Sequence, residues 1–144
     1  MSIIFSRKCE YGIQAVLLLT TEQQGGIHSA EEIANRLKIP KEFVSKILQE
    51  LTANGIVLSK KGKSGGFALA KKPNELKLLD IVLAIDGPDI FNRCVLGFPN
   101  CSDKDPCPLH YKWSQMINQT FEMLSDETMD KFKQQTINKI ESIQ

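Results

Sequence analysis

Cys94, Cys101, Cys107 and His110 bring three thiols and an imidazole together within 17 residues of chain. Their spacing is Cys94-x6-Cys101-x5-Cys107-x2-His110, wider than the gaps of about two to four residues that pair cysteines around structural zinc. Four soft-to-borderline ligands complete a metal site, and the longer loop suits the bulk of an iron–sulfur cluster. Zinc stays open as an alternative, as do redox-active or simply buried thiols. Three clustered cysteines cannot all pair with one another, so a disulfide framework is not expected. The fourth, Cys9, stands alone and reads as a small packed side chain.

Enzyme chemistry finds little support. His28 and His110 are the only histidines, no Gly-rich strand-to-helix phosphate loop is present, and no Ser, His, Asp order suggests a triad. An iron–sulfur oxidoreductase or a zinc hydrolase is the rival enzyme reading, and the acid–base inventory is poor for either. The 144 residues fit one compact domain plus an appendage. Near the start the longest apolar run covers only residues 15–19, whereas a spanning helix needs about 20 residues and a signal peptide an apolar core of about 7 to 15. Neither membrane insertion nor secretion is expected, and a reducing, cytoplasmic setting follows.

The net charge of +1 hides an asymmetry. Residues 1–72 carry 11 basic and 6 acidic side chains, residues 73–144 carry 7 and 11, and nine Lys or Arg lie between Arg36 and Lys72 against Glu42 and Glu50 alone. A basic segment of that kind either meets a polyanion or forms a solvated face.

The elements that must position these groups are legible from periodicity. Apolar residues recur at three and four from Ser6 to about Gln24, where Gly25 and Gly26 end a first helix. Ser29 and Glu32 form a capping box for a second, with Ile33, Ala34 and Leu37 inward. Lys38-Ile39 makes a tight turn into a third helix from Pro40 to Asn54, with Phe43, Val44, Ile47, Leu48 and Leu51 as its stripe and Gly55 as its left-handed cap. Residues 56–58 and 67–69 predict a hairpin whose loop, residues 59–66, carries Lys60, Lys61 and Lys63 beside three glycines. Two helices joined by a tight turn and followed by a basic hairpin make a winged helix, a duplex-DNA reader.

Residues 78–85 predict a helix apolar nearly all round, stopping at Gly87, and residues 88–106 have no periodicity. From Pro108 the pattern returns, with Leu109, Trp113, Met116, Ile117, Thr120, Phe121 and Leu124 on a wide stripe. That stripe serves either a second copy of the same helix or the chain's own core. After a turn at Ser125-Asp126, a weaker helix covers 129–143. The expected fold is mainly α with a small β wing: a winged helix-turn-helix over 1–87, then a cysteine loop and long dimerisation helix over 88–144.

In several motifs the chain resembles the Rrf2 superfamily of winged-helix transcription regulators, and within it the iron–sulfur subgroup typified by IscR and NsrR. The resemblance rests on Tyr11-Gly12, the helices over 29–37 and 43–55, the wing Lys61-Gly62-Lys63-Ser64-Gly65-Gly66-Phe67, and the loop of Cys94, Cys101 and Cys107. It implies a cytoplasmic homodimer on double-stranded DNA, each subunit holding one cluster, 2Fe-2S in type, that responds to redox state, nitric oxide or cluster supply. His110 takes the place of the histidine that IscR-type members use as fourth ligand, because Cys107-Pro108-Leu109-His110 resembles their ending. Glu10 falls where NsrR-type members place an acidic ligand from the other subunit, and is the alternative. Glu42, Ser45 and Lys46 match recognition-helix positions that face base edges. Lys61 replaces a wing arginine, whose planar fork a lysine cannot copy.

Overall fold

The computed structural model describes residues 4–22 and 26–144. Helix α1, Arg7–Thr21, starts where the Ser6 hydroxyl accepts the Cys9 N–H at 3.0 Å, satisfying one of the free amides of a helix start. It ends before the expected stop, and Gln24 and Gly25 lie outside the described residues. Its inner face buries Ala15, Val16, Leu18 and Leu19. A Cβ on Gly12 would lie 2.1 Å from Ile85 Cδ1 and 3.3 Å from Ile47 Cγ2, so the missing side chain leaves room for those two isoleucines against α1.

Helix α2 spans Ala30–Leu37, and Ser29 caps it by accepting the Glu32 N–H at 3.1 Å. The expected return bond from Glu32 gives way to a different one, because its carboxylate sits 2.9 Å from His28 Nδ1. Lys38 takes the left-handed conformation, with φ 59° and ψ 42°, and Ile39 is buried behind it. Helix α3 is Lys41–Ala53, with Pro40 as its flanking residue rather than its first turn. Val44, Ile47, Leu48 and Leu51 are buried as expected. Phe43 is not: at the edge of the stripe it is 55% exposed, its ring 6.2 Å from that of Tyr11. At the other end the Gly55 N–H reaches Thr52 and the Ile56 N–H reaches Leu51, the paired bonds of a Schellman cap built on Gly55 at φ +75°.

The hairpin pairs β1, Val57–Lys60, antiparallel with β2, Gly66–Leu69, in the register Val57 to Leu69 and Lys60 to Gly66. Lys60 is therefore a strand residue, and the loop that turns the ribbon is shorter than the predicted one, because main-chain pairing carries on past Leu58 to Lys60. A third participant has no local signal in the sequence: His28 exchanges both main-chain hydrogen bonds with Phe67, at 2.9 and 2.8 Å. Gly66 is the residue that makes this possible, since a Cβ there would lie 2.5 Å from the His28 carbonyl oxygen. Gly66→Ala is expected to lower unfolding free energy by about 1–3 kcal/mol, because backbone rather than a side-chain tip must move; urea unfolding checks it.

Helix α4, Leu78–Ile85, packs on α1 and α3. Ile81, Val82 and Ile85 are buried while Leu83 stays partly exposed. Past Gly87 a short 3-10 turn, Pro88–Phe91, opens an irregular loop that runs to α5, His110–Asp126. Helix α5 carries on through the turn expected at Ser125-Asp126. After a further 3-10 turn, Met129–Phe132, helix α6, Lys133–Ser142, returns to lie on α1. That return is pinned by the Met129 N–H on the Leu76 carbonyl at 2.7 Å. Leu124, Met129 and Ile140 thereby join the same core as α1 to α4.

Candidate metal centre and nucleic-acid interface

The cysteine loop closes on the start of α5. One ligand atom from each of Cys94, Cys101 and Cys107 lies within 4.8 Å of the others, with 3.5 Å between the sulfurs of Cys94 and Cys107. The Cys101 sulfur is 3.3 Å from His110 Nδ1 and accepts the Cys107 N–H at 3.4 Å. His110 stands first in α5, so the helix start places its ring against the loop. Asp103 approaches the other ring nitrogen, Nε2, at 2.8 Å. These groups line a cavity of about 340 Å³ together with Phe91, Trp113 and Ile117. Trp113 ties α5 to the loop by donating its indole N–H to the Arg93 carbonyl at 3.2 Å, and Phe91 meets the Phe121 ring edge-on at 5.2 Å.

Two of the thiols, Cys94 and Cys101, are electrostatically unequal. Burial pushes Cys94 up, but the amides of Phe98 and Leu96 and the thiols of Cys107 and Cys101 outweigh it and hold it down at about 7. For Cys101 the Cys107 amide pulls downward, yet burial and the neighbouring Cys107 and Cys94 thiols win and raise it. Of these two, Cys94 is the thiol more ready to ionise, and metal ligation needs thiolates.

Cys9 behaves differently. It is fully buried, and burial, with Asp86 adding to it, pushes its thiol up to about 12. Its folded-state value lies above the ordinary 9.0, so its contribution to stability is complete below that pH and is lost as pH rises toward about 12. In native metal-free protein at neutral pH, iodoacetamide is expected to label the three loop cysteines and to spare Cys9 until denaturant is added; mass spectrometry of the peptides checks this.

Glu10 lies in the first turn of α1, 3.7 Å from Arg7, and is not among the residues lining the cavity. The DNA-facing candidates stand on α3 and on the hairpin. Glu42 and Lys46 are exposed and Ser45 half-buried on α3, and Lys60, Lys61 and Lys63 are all exposed on the hairpin. Asp103, Trp113 and Arg93 were invisible as site residues in the sequence, since their roles depend on loop closure rather than on spacing.

A tight-turned helix pair, a basic two-stranded wing and a helical appendage define a winged-helix DNA-binding regulator. A family model described as "Iron-dependent Transcriptional regulator", the Rrf2 model, matches residues 5–135. The chain belongs to the Rrf2 family of transcriptional regulators. It is 33% identical over 129 residues to a protein of Aquifex aeolicus named as an HTH-type transcriptional regulator, covering 88% of this chain and 89% of that one. It is 27% identical over 124 residues to the HTH-type transcriptional regulator IscR of Pectobacterium atrosepticum, covering 86% and 75%. Among solved structures, CymR, the global cysteine regulator of B. subtilis, superposes with a TM-score of 0.73 at 21% identity over 90% and 95% of the two chains, a likeness of fold. T. potens IscR superposes at 0.68 with 26% identity over 90% and 85%. These relatives are regulators, and the protein is not an enzyme. Among the described residues no helix is long and apolar enough to cross a membrane.

Proposed function

We propose that this regulator grips operator DNA according to the state of an iron–sulfur cluster, 2Fe-2S in type, held by Cys94, Cys101, Cys107 and His110. The observation that carries the reading is the convergence of three sulfurs within 4.8 Å, with an imidazole nitrogen 3.3 Å from one of them. Three soft thiolates and one borderline imidazole suit such a cluster. When bound, the cluster would supply a redox-active, oxidant-sensitive centre. The rest of the device is the chain's own. Gly87 connects α4 to the loop, and Trp113 and Phe121 fasten that loop to α5, so a change in how the loop is drawn together is passed to the start of α5 and through that helix to the subunit contact.

The protein acts in the cytoplasm as a homodimer on double-stranded DNA. In α5 only Ile117 and Leu124 are buried, while Met116 and Met123 are 58% and 61% exposed on the neighbouring shoulder, which supports packing against the same helix of a second copy. Glu42, Ser45 and Lys46 face base edges, and Lys60, Lys61 and Lys63 meet phosphates. His110 is favoured as fourth ligand because its Nδ1 stands 3.3 Å from the Cys101 sulfur; Glu10, supplied from the other subunit, is the alternative.

A second reading, a thiol switch or zinc site without a cluster, draws on the 3.5 Å separation of Cys94 and Cys107 and the lowered Cys94 thiol. Iron, sulfide and zinc analysis of anaerobically isolated protein separates the two. Iron and sulfide near about two each per chain support the cluster. Stoichiometric zinc without visible absorption, or no metal at all, favours the second reading.

A further inference from the structure

We propose that Asp103 is a positioning residue that locks His110 in the tautomer able to bind metal, an inference that rests on the metal-centre reading above. The His110 ring is held between two unlike neighbours: Nδ1 faces the Cys101 sulfur at 3.3 Å, and Nε2 faces the Asp103 carboxylate at 2.8 Å. A neutral imidazole has one N–H and one lone pair, and an ionised carboxylate only accepts. Nε2 therefore carries the hydrogen, and the Nδ1 lone pair points at the thiols. Without that carboxylate the hydrogen is free to sit on Nδ1 and donate to the Cys101 sulfur, which occupies the very position a metal needs. Ligating histidines generally rely on such an outer acceptor to fix tautomer and orientation.

The placement of Asp103 is built into the loop. Ser102 and Asp105 bond each other's main chain at 3.4 and 3.1 Å, closing a turn around residue 103. The Tyr111 hydroxyl, in the same helical turn as His110, donates to the Asp103 carbonyl at 3.4 Å. Tyr111 also meets the His110 ring edge-on at 5.1 Å. The first turn of α5 thus holds both the histidine and the backbone of its acceptor. The Asp103 side chain is itself 88% exposed, so its removal leaves the core untouched.

The test compares the full chain as wild type, Asp103→Ala and Asp103→Glu, isolated anaerobically. Iron transfer to a ferrous chelator is expected to be about 10- to 100-fold faster in Asp103→Ala and near wild type in Asp103→Glu, which restores an acceptor. Ring-nitrogen NMR of His110 in the metal-free chain at about pH 8, where an ordinary imidazole is neutral, is expected to show the Nε2-protonated form in the wild type and a mixture in Asp103→Ala. An unchanged tautomer in Asp103→Ala overturns the proposal whatever the iron does. If the wild-type chain holds no metal, the metal reading fails, and the nitrogen spectrum still decides the role of Asp103.

Discussion

Changing Met116 and Met123 together to Glu is expected to split the protein into monomers and to weaken operator binding by about 10²- to 10⁴-fold. The magnitude is the loss of linked binding: once one half-site is engaged, a dimer binds the second at a high effective concentration, and a monomer does not. Both methionines are exposed within the chain and lie on the same shoulder of α5. The winged helix should keep its melting temperature while sedimentation reports half the mass. Half-sites should lie about one helical turn apart or a multiple of it. Lys61→Ala or Lys63→Ala, by contrast, should weaken binding to every sequence and flatten its salt dependence, whereas Ser45 or Lys46 changes should shift sequence preference. A double Glu variant that stays dimeric would move the subunit contact off α5.

The second large effect concerns the loop. Replacing Cys94, Cys101 or Cys107 by Ala should each strip the protein of most of its iron, a larger loss than the about 10- to 100-fold typical of removing an outer hydrogen bond. Folding should survive, since all three cysteines are only half-buried and stand outside the core formed by α1 to α4. His110→Ala should follow the same direction, and Glu10→Gln should change little. If Glu10→Gln loses the iron and His110→Ala keeps it, a ligand supplied across the subunit interface replaces the histidine.

The helices were legible in the sequence because periodicity and caps agreed. Ser29, Pro40 and Gly55 mark ends that the structure sets within a residue. The hairpin was legible in type but not in extent: its glycines announced a turn, while the pairing of Lys60 with Gly66 and the His28–Phe67 bridge depend on partners distant in sequence. Phe43 shows the limit of a stripe argument. It has the right spacing and the right chemistry, yet it stands at the edge of the stripe, 55% exposed beside the Tyr11 ring. The return of α6 onto α1 had no local signal either, since a weak apolar pattern does not say which surface it will cover. In the centre, the spacing of Cys94, Cys101, Cys107 and His110 announced a possible ligand set. The Asp103 carboxylate, which sets the ring's orientation, became visible only when the loop closed.

The central claim is that the occupied loop changes the grip on DNA, and operator affinity at one fixed salt concentration tests it most directly. A duplex selected from a random library by the cluster-bearing protein serves as the operator, measured against the same preparation before and after anaerobic removal of iron by a chelator. Affinity should change by about 5- to 150-fold, the range of ordinary coupling between two sites, and the change should vanish in Cys101→Ala. Equal affinity with and without the metal, in protein shown to have carried iron and sulfide, would contradict the account.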